Sequence, residues 1–104
     1  MKMMKYTLFV GLNDMNTKHQ EIATVDAYKI ASNIFCTYTG GATISEAVGV
    51  YTHDDGTIIT ETSLRCEIYG AEISAIMRAA NELKTAFNQE SILIESVETS
   101  SKFI

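Results

Sequence analysis

One segment of the sequence, residues 57–69, constrains the fold most because polar and apolar side chains alternate along its whole length. One set contains Ile58, Thr60, Thr62, Leu64, Cys66 and Ile68, and the other contains Ile59, Glu61, Ser63, Arg65, Glu67 and Tyr69. Since successive side chains of a strand point to opposite faces, this period of two predicts a long strand with one packed and one partly open face. The turn residues His53-Asp54-Asp55-Gly56 before it favour a hairpin with a strand over residues 42–52.

Two further strands and two helices are predicted around this hairpin. Residues 6–10 are rich in β-forming side chains, and this predicted strand stops at Gly11 and the turn residues Asn13-Asp14. Apolar residues at helical spacing follow Thr24 and stop at Gly40-Gly41, which predicts a helix over residues 24–38. A second stripe consists of Ile73, Ile76, Met77, Ala80, Leu83 and Phe87. It predicts a helix over residues 71–87, followed by a strand over residues 91–97 and a loose tail.

The order β-α-β-β-α-β predicts an α+β, ferredoxin-like fold, with an antiparallel four-stranded sheet and two helices on one face. A chain of 104 residues has the usual size of one domain, so we expect a single domain over residues 1–104. The uncovered sheet face would carry Thr7, Phe9, Tyr51, Ile59, Glu61, Arg65, Tyr69, Leu93 and Val97. Because so much apolar surface is rare on a monomer, we expect a homo-oligomer, either a dimer or a larger closed assembly.

Charge and composition limit the partners and the compartment. The net charge of −5 repels polyanions, so long nucleic acid is not an expected partner, whereas a small anionic ligand held by a few cations is still permitted. The apolar runs are too short for a membrane span and no signal peptide is recognisable. We therefore expect a cytoplasmic protein, with Cys36 and Cys66 as two buried free thiols.

No constellation of catalytic or metal-binding residues is visible in the sequence. The two histidines and two cysteines have no metal-ligand spacing, and there is no nucleophile elbow and no phosphate-binding loop. His53 beside Asp54 and Asp55 could form an acid-base pair, but a tight hairpin turn explains the same residues and is preferred. We therefore expect a protein that is not an enzyme and that needs no cofactor and no metal.

Candidate ligand contacts follow from side-chain chemistry, beginning with the charged residues. Arg65 and Arg78 are the only two arginines, against six lysines, and their guanidinium groups match phosphate and stack on bases. Arg78 on a helix can equally be a solvated surface residue. Glu61 and Arg65 lie four residues apart on one strand face, so they either contact a ligand or form an ion pair across an oligomer interface.

Aromatic and amide side chains provide the other candidate ligand contacts. Tyr51, and Phe87 with the adjacent Asn88, supply the aromatic plate and the amide with which proteins read a purine. Phe87 also lies on the apolar stripe of its helix, where a core position explains it equally well. Asn13 and Thr60 complete the set of candidate ligand-binding residues.

Two stretches of the sequence resemble known families. Residues 6–14 (YTLFVGLND), with Gln20-Glu21-Ile22, resemble the phage anti-Thoeris sponge family of small proteins that sequester immune signalling nucleotides. Residues 49–61 and 87–93 (FNQESIL) are similar to a bacterial domain family of unknown function, over residues 45–97. Together the resemblance implies a dimer or hexamer that binds a cyclic ADP-ribose isomer, or cyclic oligonucleotides, without cleaving the ligand and so inhibits anti-phage defence. If the protein is phage-encoded, we expect it in the host cytoplasm.

The sequence leaves three functions open. The first is the nucleotide sponge implied by the resemblance. The second is a dimeric ferredoxin-like barrel enzyme, whose open sheet faces enclose a cavity where Tyr51, Glu61 or His53 acts as acid or base on a small organic substrate. The third is a phage inhibitor whose open face binds a host protein.

Overall fold

The computed structural model describes all residues, Met1–Ile104, and contains four strands and two helices. In chain order the elements are β1 (Lys2–Gly11), α1 (Thr24–Tyr38), β2 (Thr43–Thr52), β3 (Ile58–Tyr69), α2 (Ile73–Ala86) and β4 (Leu93–Ser100). The sheet order is β2-β3-β1-β4, and every neighbouring pair is antiparallel. The predicted ferredoxin-like β-α-β-β-α-β fold is therefore confirmed.

The two sheet faces differ as the alternation in β3 predicts. Leu64 and Cys66 are fully buried, as are Leu8 and Val10 on the neighbouring strand β1. They pack with buried residues of both helices, including Phe35 of α1, in one core cluster. The other face carries the residues between them, such as Phe9 and Arg65, which are direct partners in the register. Both helices thus cover one face and leave the other open.

The neighbouring strands β1 and β4 are longer at one end than the sequence predicts. β1 begins at Lys2 rather than at residue 6, and β4 runs from Leu93 to Ser100 rather than over residues 91–97. The two strands pair along this whole length, from Phe9 opposite Leu93 to Lys2 opposite Ser100. Because ladder hydrogen bonds join backbone groups, the polar residues expected to form a loose tail are held in the sheet.

The helices agree with the sequence in position but not in every buried residue. α1 has the predicted bounds, whereas the buried stripe of α2 contains Ala79 and leaves Ile73 and Met77 about half exposed. Alanine contributes little to an apolar pattern yet packs closely, so the buried face is rotated from the predicted one. No helix has both the length and the apolar content that crossing a bilayer requires.

The two cysteines have different environments, which corrects the prediction of two buried thiols. Cys66 is fully buried on the inner face of β3, and burial raises the pKa of its thiol to about 12. Cys36 is free but exposed, because α1 buries the preceding residues Ile34 and Phe35 and turns the next position outward.

The β2–β3 hairpin projects beyond the rest of the sheet. Pairing between β1 and β3 ends at Gly11 opposite Ser63, whereas β2 and β3 stay paired as far as Thr52 opposite Ile58. We call residues 49–61 the hairpin arm. Its turn is closed by two backbone hydrogen bonds, in which the His53 amide donates to the Thr57 carbonyl and the Gly56 amide donates to the His53 carbonyl. Gly56 has φ +87°, the conformation for which the sequence places a glycine there.

Two isoleucines of α2 test the position of the buried face. Ile76 is fully buried and Ile73 is 52% exposed, so Ile76→Ala leaves a cavity that Ile73→Ala does not. We expect Ile76→Ala to lower the free energy of unfolding by about 2–5 kcal/mol and Ile73→Ala by less than about 1 kcal/mol, as measured by urea denaturation. Equal losses in the two variants would contradict the observed orientation of α2.

Candidate functional site

A cleft of about 460 Å³ lies where β1 ends and the hairpin arm continues. Its walls are the end of β1, the loop after it, the hairpin arm and the segment after α2. Its lining residues are Phe9, Gly11, Asn13, Asp14, Met15, Lys18, Tyr51, His53, Glu61, Ser63, Gln89, Glu90 and Ser91. This volume lies within the range of small-molecule sites, roughly 300–1,000 Å³.

The Glu61 carboxylate is held in the cleft by contacts with the end of β1 and with the loop after it. Glu61 lies on β3, and its carboxyl group covers Gly11, where an added Cβ would come within 2.6–2.7 Å of the carboxyl atoms. One oxygen, Oε2, accepts a hydrogen bond from the backbone amide of Asn13 at 2.9 Å. The missing side chain at Gly11 gives the carboxylate its space, and the Asn13 amide orients it.

The loop after β1 is organised around Asp14. Its Oδ1 accepts hydrogen bonds from the backbone amides of Asn16 at 2.8 Å and Thr17 at 3.0 Å, and its Oδ2 accepts one from Asn88 Nδ2 at 3.0 Å. The bond from Thr17, followed by those from Asn88 and Asn16, lowers the pKa of Asp14 because all three stabilise the charged carboxylate. Asp14 is therefore ionised at neutral pH while it holds the loop.

The segment after α2 braces this loop from the other side. Asn88 adopts a left-handed conformation with φ +47°, and its carbonyl accepts a hydrogen bond from the Met15 amide at 3.0 Å. Gln89 Nε2 donates to the Asn13 carbonyl at 2.7 Å. Since Asn13 also holds Glu61, these bonds join the hairpin arm, the loop and the end of α2 into one wall.

The cleft is acidic and partly aromatic. Three carboxylates line it, from Asp14, Glu61 and Glu90, but Lys18 is the only lysine or arginine among the lining residues. Tyr51 and His53 lie edge to face on the hairpin arm, with ring centroids 5.6 Å apart. No group of three or more histidine, cysteine, aspartate or glutamate side chains is arranged to hold a metal ion. The lining thus favours a small ligand that carries more positive than negative charge.

Three of the predicted ligand-binding residues meet in this cleft. Asn13, Tyr51 and Glu61 all line it, although they come from three separate segments of the chain. Asn88 lies behind the wall, where its side chain holds Asp14 and Asn16. The structure therefore gives Asn88 a bracing position rather than a lining one.

The other four predicted residues lie elsewhere. Arg65 is on the open sheet face, with its Nε 3.9 Å from Glu67, and Arg78 is exposed on α2. Phe87 is buried in the core, as its place on the apolar stripe allowed. Thr60 points to the helix side of the sheet, because its neighbours Ile59 and Glu61 are the residues on the open face.

The sequence analysis missed several lining residues. Lys18, Gln89 and Glu90 lie in segments without periodicity, so no pattern distinguished them from other loop residues. Gly11 was interpreted only as the end of a strand, whereas it also makes room for Glu61. His53 does belong to the turn as preferred, but its ring lines the cleft as well.

Neither a protein-family model nor a curated protein sequence matches the chain. Among solved structures, a phage SAM lyase in complex with S-methyl-5'-thioadenosine has a TM-score of 0.71 and 25% identity, covering 92% of this chain and 81% of that one. A phage SAM lyase in the apo state has a TM-score of 0.65 and 27% identity, covering 91% and 79%. The divalent ion tolerance protein CutA1 from Ehrlichia chaffeensis, at 18% identity and a TM-score of 0.58, shares the fold over 95% of this chain and 84% of its own.

These similarities correct the prediction that the chain is not an enzyme. Two solved structures that match more than nine-tenths of it, at 25% and 27% identity, are lyases and so point to an enzyme. They agree with the broader expectation of a phage-type, ferredoxin-like protein. None of the comparisons supports the more specific resemblance to the anti-Thoeris sponge family.

Replacing either of two glycines near Glu61 tests how the carboxylate is held. Gly11→Ala places a Cβ where the carboxyl group lies, so Glu61 must move and the Asn13 amide loses its acceptor. We expect an upfield shift of the Asn13 amide proton by NMR and a loss of about 1 kcal/mol in the free energy of unfolding relative to Gly49→Ala. Gly49→Ala is the matched control, since its nearest new contact, Ser63 Oγ, is 3.7 Å away. An unshifted Asn13 resonance in Gly11→Ala would show that Glu61 is held in another way.

Proposed function

We propose that this protein is a lyase that cleaves S-adenosylmethionine (SAM) and releases S-methyl-5'-thioadenosine. The similarity to the two phage SAM lyase structures over more than nine-tenths of the chain carries the proposal. The acidic cleft supports it, because the substrate bears a sulfonium and an ammonium group against one carboxylate. The three carboxylates that line it, from Asp14, Glu61 and Glu90, attract these two positive charges.

The proposed reaction needs little from the protein because the substrate carries its own leaving group. When the bond between sulfur and the amino-acid carbon breaks, the electron pair returns to sulfur and a neutral thioether is formed. In place of water, an oxygen of the substrate's own carboxylate can form the new bond to that carbon. This closes a lactone, and the atoms and charges of substrate and products then balance. No metal and no external nucleophile enters this balance, so the enzyme's task is to bind and orient the substrate.

Glu61 is the residue we assign to the reacting sulfonium. The Asn13 amide holds its carboxylate by a hydrogen bond, and the missing side chain at Gly11 leaves room for it. The carboxylate can therefore face a positive charge without a rearrangement of the site. Phe9 and Tyr51 add aromatic rings, which attract cations over their faces and stack with adenine.

The charge of the cleft argues against the cyclic ADP-ribose isomer expected from the sequence. A pyrophosphate placed there would face Asp14, Glu61 and Glu90, with Lys18 as the one lysine or arginine in the lining. SAM cleavage also agrees with an anti-defence role, although it does not involve sequestering a nucleotide signal. Removing SAM deprives the bacterial methyltransferases that depend on it.

A product assay with the purified chain tests the proposal. We expect release of S-methyl-5'-thioadenosine from SAM, measured by liquid chromatography, above the slow breakdown in a protein-free control. Glu61→Gln should raise KM for SAM by about tenfold, because it removes a carboxylate that attracts the positive charge of the substrate. Glu46→Gln is the matched control, since Glu46 is exposed on β2 outside the cleft, and it should retain wild-type activity. Product formation no faster than in the protein-free control would refute the proposed function.

The hairpin arm supports a further proposal, that the protein assembles into a homo-oligomer. Val50 and Ile58, on the arm's helix side, are 65% and 69% exposed, and the adjacent Val48 is 67% exposed. The helices do not reach this part of the sheet, so three aliphatic side chains form one patch that water contacts. Packing the patch against a second copy would remove it from water.

Native mass checks the assembly. Light scattering should give a multiple of the 11.5 kDa chain mass. Val50→Asp should shift the protein towards the monomer, because a charge then lies in the proposed interface, while circular dichroism shows that the fold is kept. Lys29→Asp, at an exposed position of α1, is the control with an introduced acid and should keep the wild-type mass. A monomeric wild-type protein would refute the assembly.

A further inference from the structure

The lining of the cleft contains one cationic side chain with no ionic partner, Lys18. No carboxylate lies within 4 Å of its ammonium group, whereas the cations on the open sheet face are engaged. Lys5 Nζ is 2.7 Å from Glu67, and Arg65 Nε is 3.9 Å from the same carboxylate. Lys18 is therefore available to a ligand in a way that Lys5 and Arg65 are not.

The backbone of Lys18 is held in an uncommon conformation. Its φ is +65°, and Lys18 and Asn88 are the only two residues other than glycine with positive φ. The Lys18 amide donates to the Asp14 carbonyl at 2.8 Å, and Asn88 anchors Asp14 from the end of α2. The same hydrogen-bonded loop thus fixes both residues. Strained residues that the surrounding structure holds in place cluster at functional sites.

The charges of the cleft can be compared with those of the proposed substrate. Three carboxylates and one ammonium group line it, and the proposed substrate carries two positive groups and one carboxylate. The ring of His53 packs against Tyr51, and Lys18 is the one lysine or arginine in the lining. A carboxylate that enters among Asp14, Glu61 and Glu90 is repelled everywhere except near Lys18.

We propose that Lys18 binds the carboxylate of the substrate's amino-acid end and so determines that the cleft accepts an amino-acid sulfonium rather than a simple alkyl sulfonium. This inference rests on the proposed function and adds to it the residue that binds the one negatively charged group of the substrate. It also sets the direction of the substrate, with its amino-acid end at the loop after β1. The adenosine end then lies towards Tyr51 on the hairpin arm.

The test compares two ligands that differ only in the carboxylate, SAM and decarboxylated SAM, on the full chain. Lys18→Met removes the charge at similar length, and Lys18→Arg keeps it. Lys29→Met is the matched control, since Lys29 is exposed on α1 outside the cleft. KM and kcat are measured for SAM. The dissociation constant of decarboxylated SAM is measured by calorimetry.

We expect Lys18→Met to raise KM for SAM by about tenfold, the effect of a lost charge-assisted hydrogen bond, while Lys18→Arg raises it less. The affinity for decarboxylated SAM should stay within about twofold in every variant, because that ligand offers Lys18 nothing to bind. Lys29→Met should match the wild type with both ligands. Together these results would assign the substrate carboxylate to Lys18.

Two results would overturn the inference while the proposed function stands. One is an unchanged KM for SAM in Lys18→Met. The other is an equal loss of affinity for both ligands, which would mean that Lys18 only supports the loop. If the wild type releases no S-methyl-5'-thioadenosine, the proposed function fails, and calorimetric titration with SAM then tests Lys18 alone. Equal SAM affinity in wild type and Lys18→Met, or no binding to either, refutes the inference there too.

Discussion

The site depends on the fact that β1, an inner strand of the sheet, ends before its neighbour β3 does. β1 is paired on both sides, with β3 and with β4, but it ends at Gly11 while β3 continues with β2 into the hairpin arm. Where the central strand stops, the open sheet face becomes one wall of a cleft instead of a flat surface. The chain then turns back through the loop held by Asp14, which supplies the facing wall. The fold thus makes the cleft without distorting the buried core on the other side of the sheet.

Most of the fold follows from local patterns in the sequence. The alternation in β3 assigns Leu64 and Cys66 to the core and Glu61 to the open face, and the helical spacing gives the bounds of α1 correctly. Packing decides what the patterns leave open. Alanines such as Ala79 carry little hydrophobic signal, so the buried face of α2 was misplaced, and backbone pairing drew a polar tail into β4.

The site was harder to predict because its contacts join distant parts of the chain. Asn13 and Glu61 are 48 positions apart, and Asp14 and Asn88 are 74 positions apart. Chemistry alone singled out Tyr51, Glu61 and Asn13, but it favoured the arginines because a phosphate ligand was expected. The proposed enzymatic activity was not expected from the sequence for a related reason. Catalytic triads and metal sites are the patterns by which an enzyme is recognised from its sequence. A substrate that already contains a good leaving group needs neither of them.

The unequal environments of the two cysteines make the molecule convenient for site-selective conjugation. Cys66 is sealed in the core with a pKa of about 12, so at neutral pH it offers almost no thiolate to an alkylating reagent. Cys36 is exposed on α1, in the helical layer, whereas the cleft opens on the other side of the sheet. A maleimide dye should therefore attach at one place without mutagenesis and leave ligand entry free. Such a fluorophore could report rotational diffusion, and with it self-association, in the unmodified sequence.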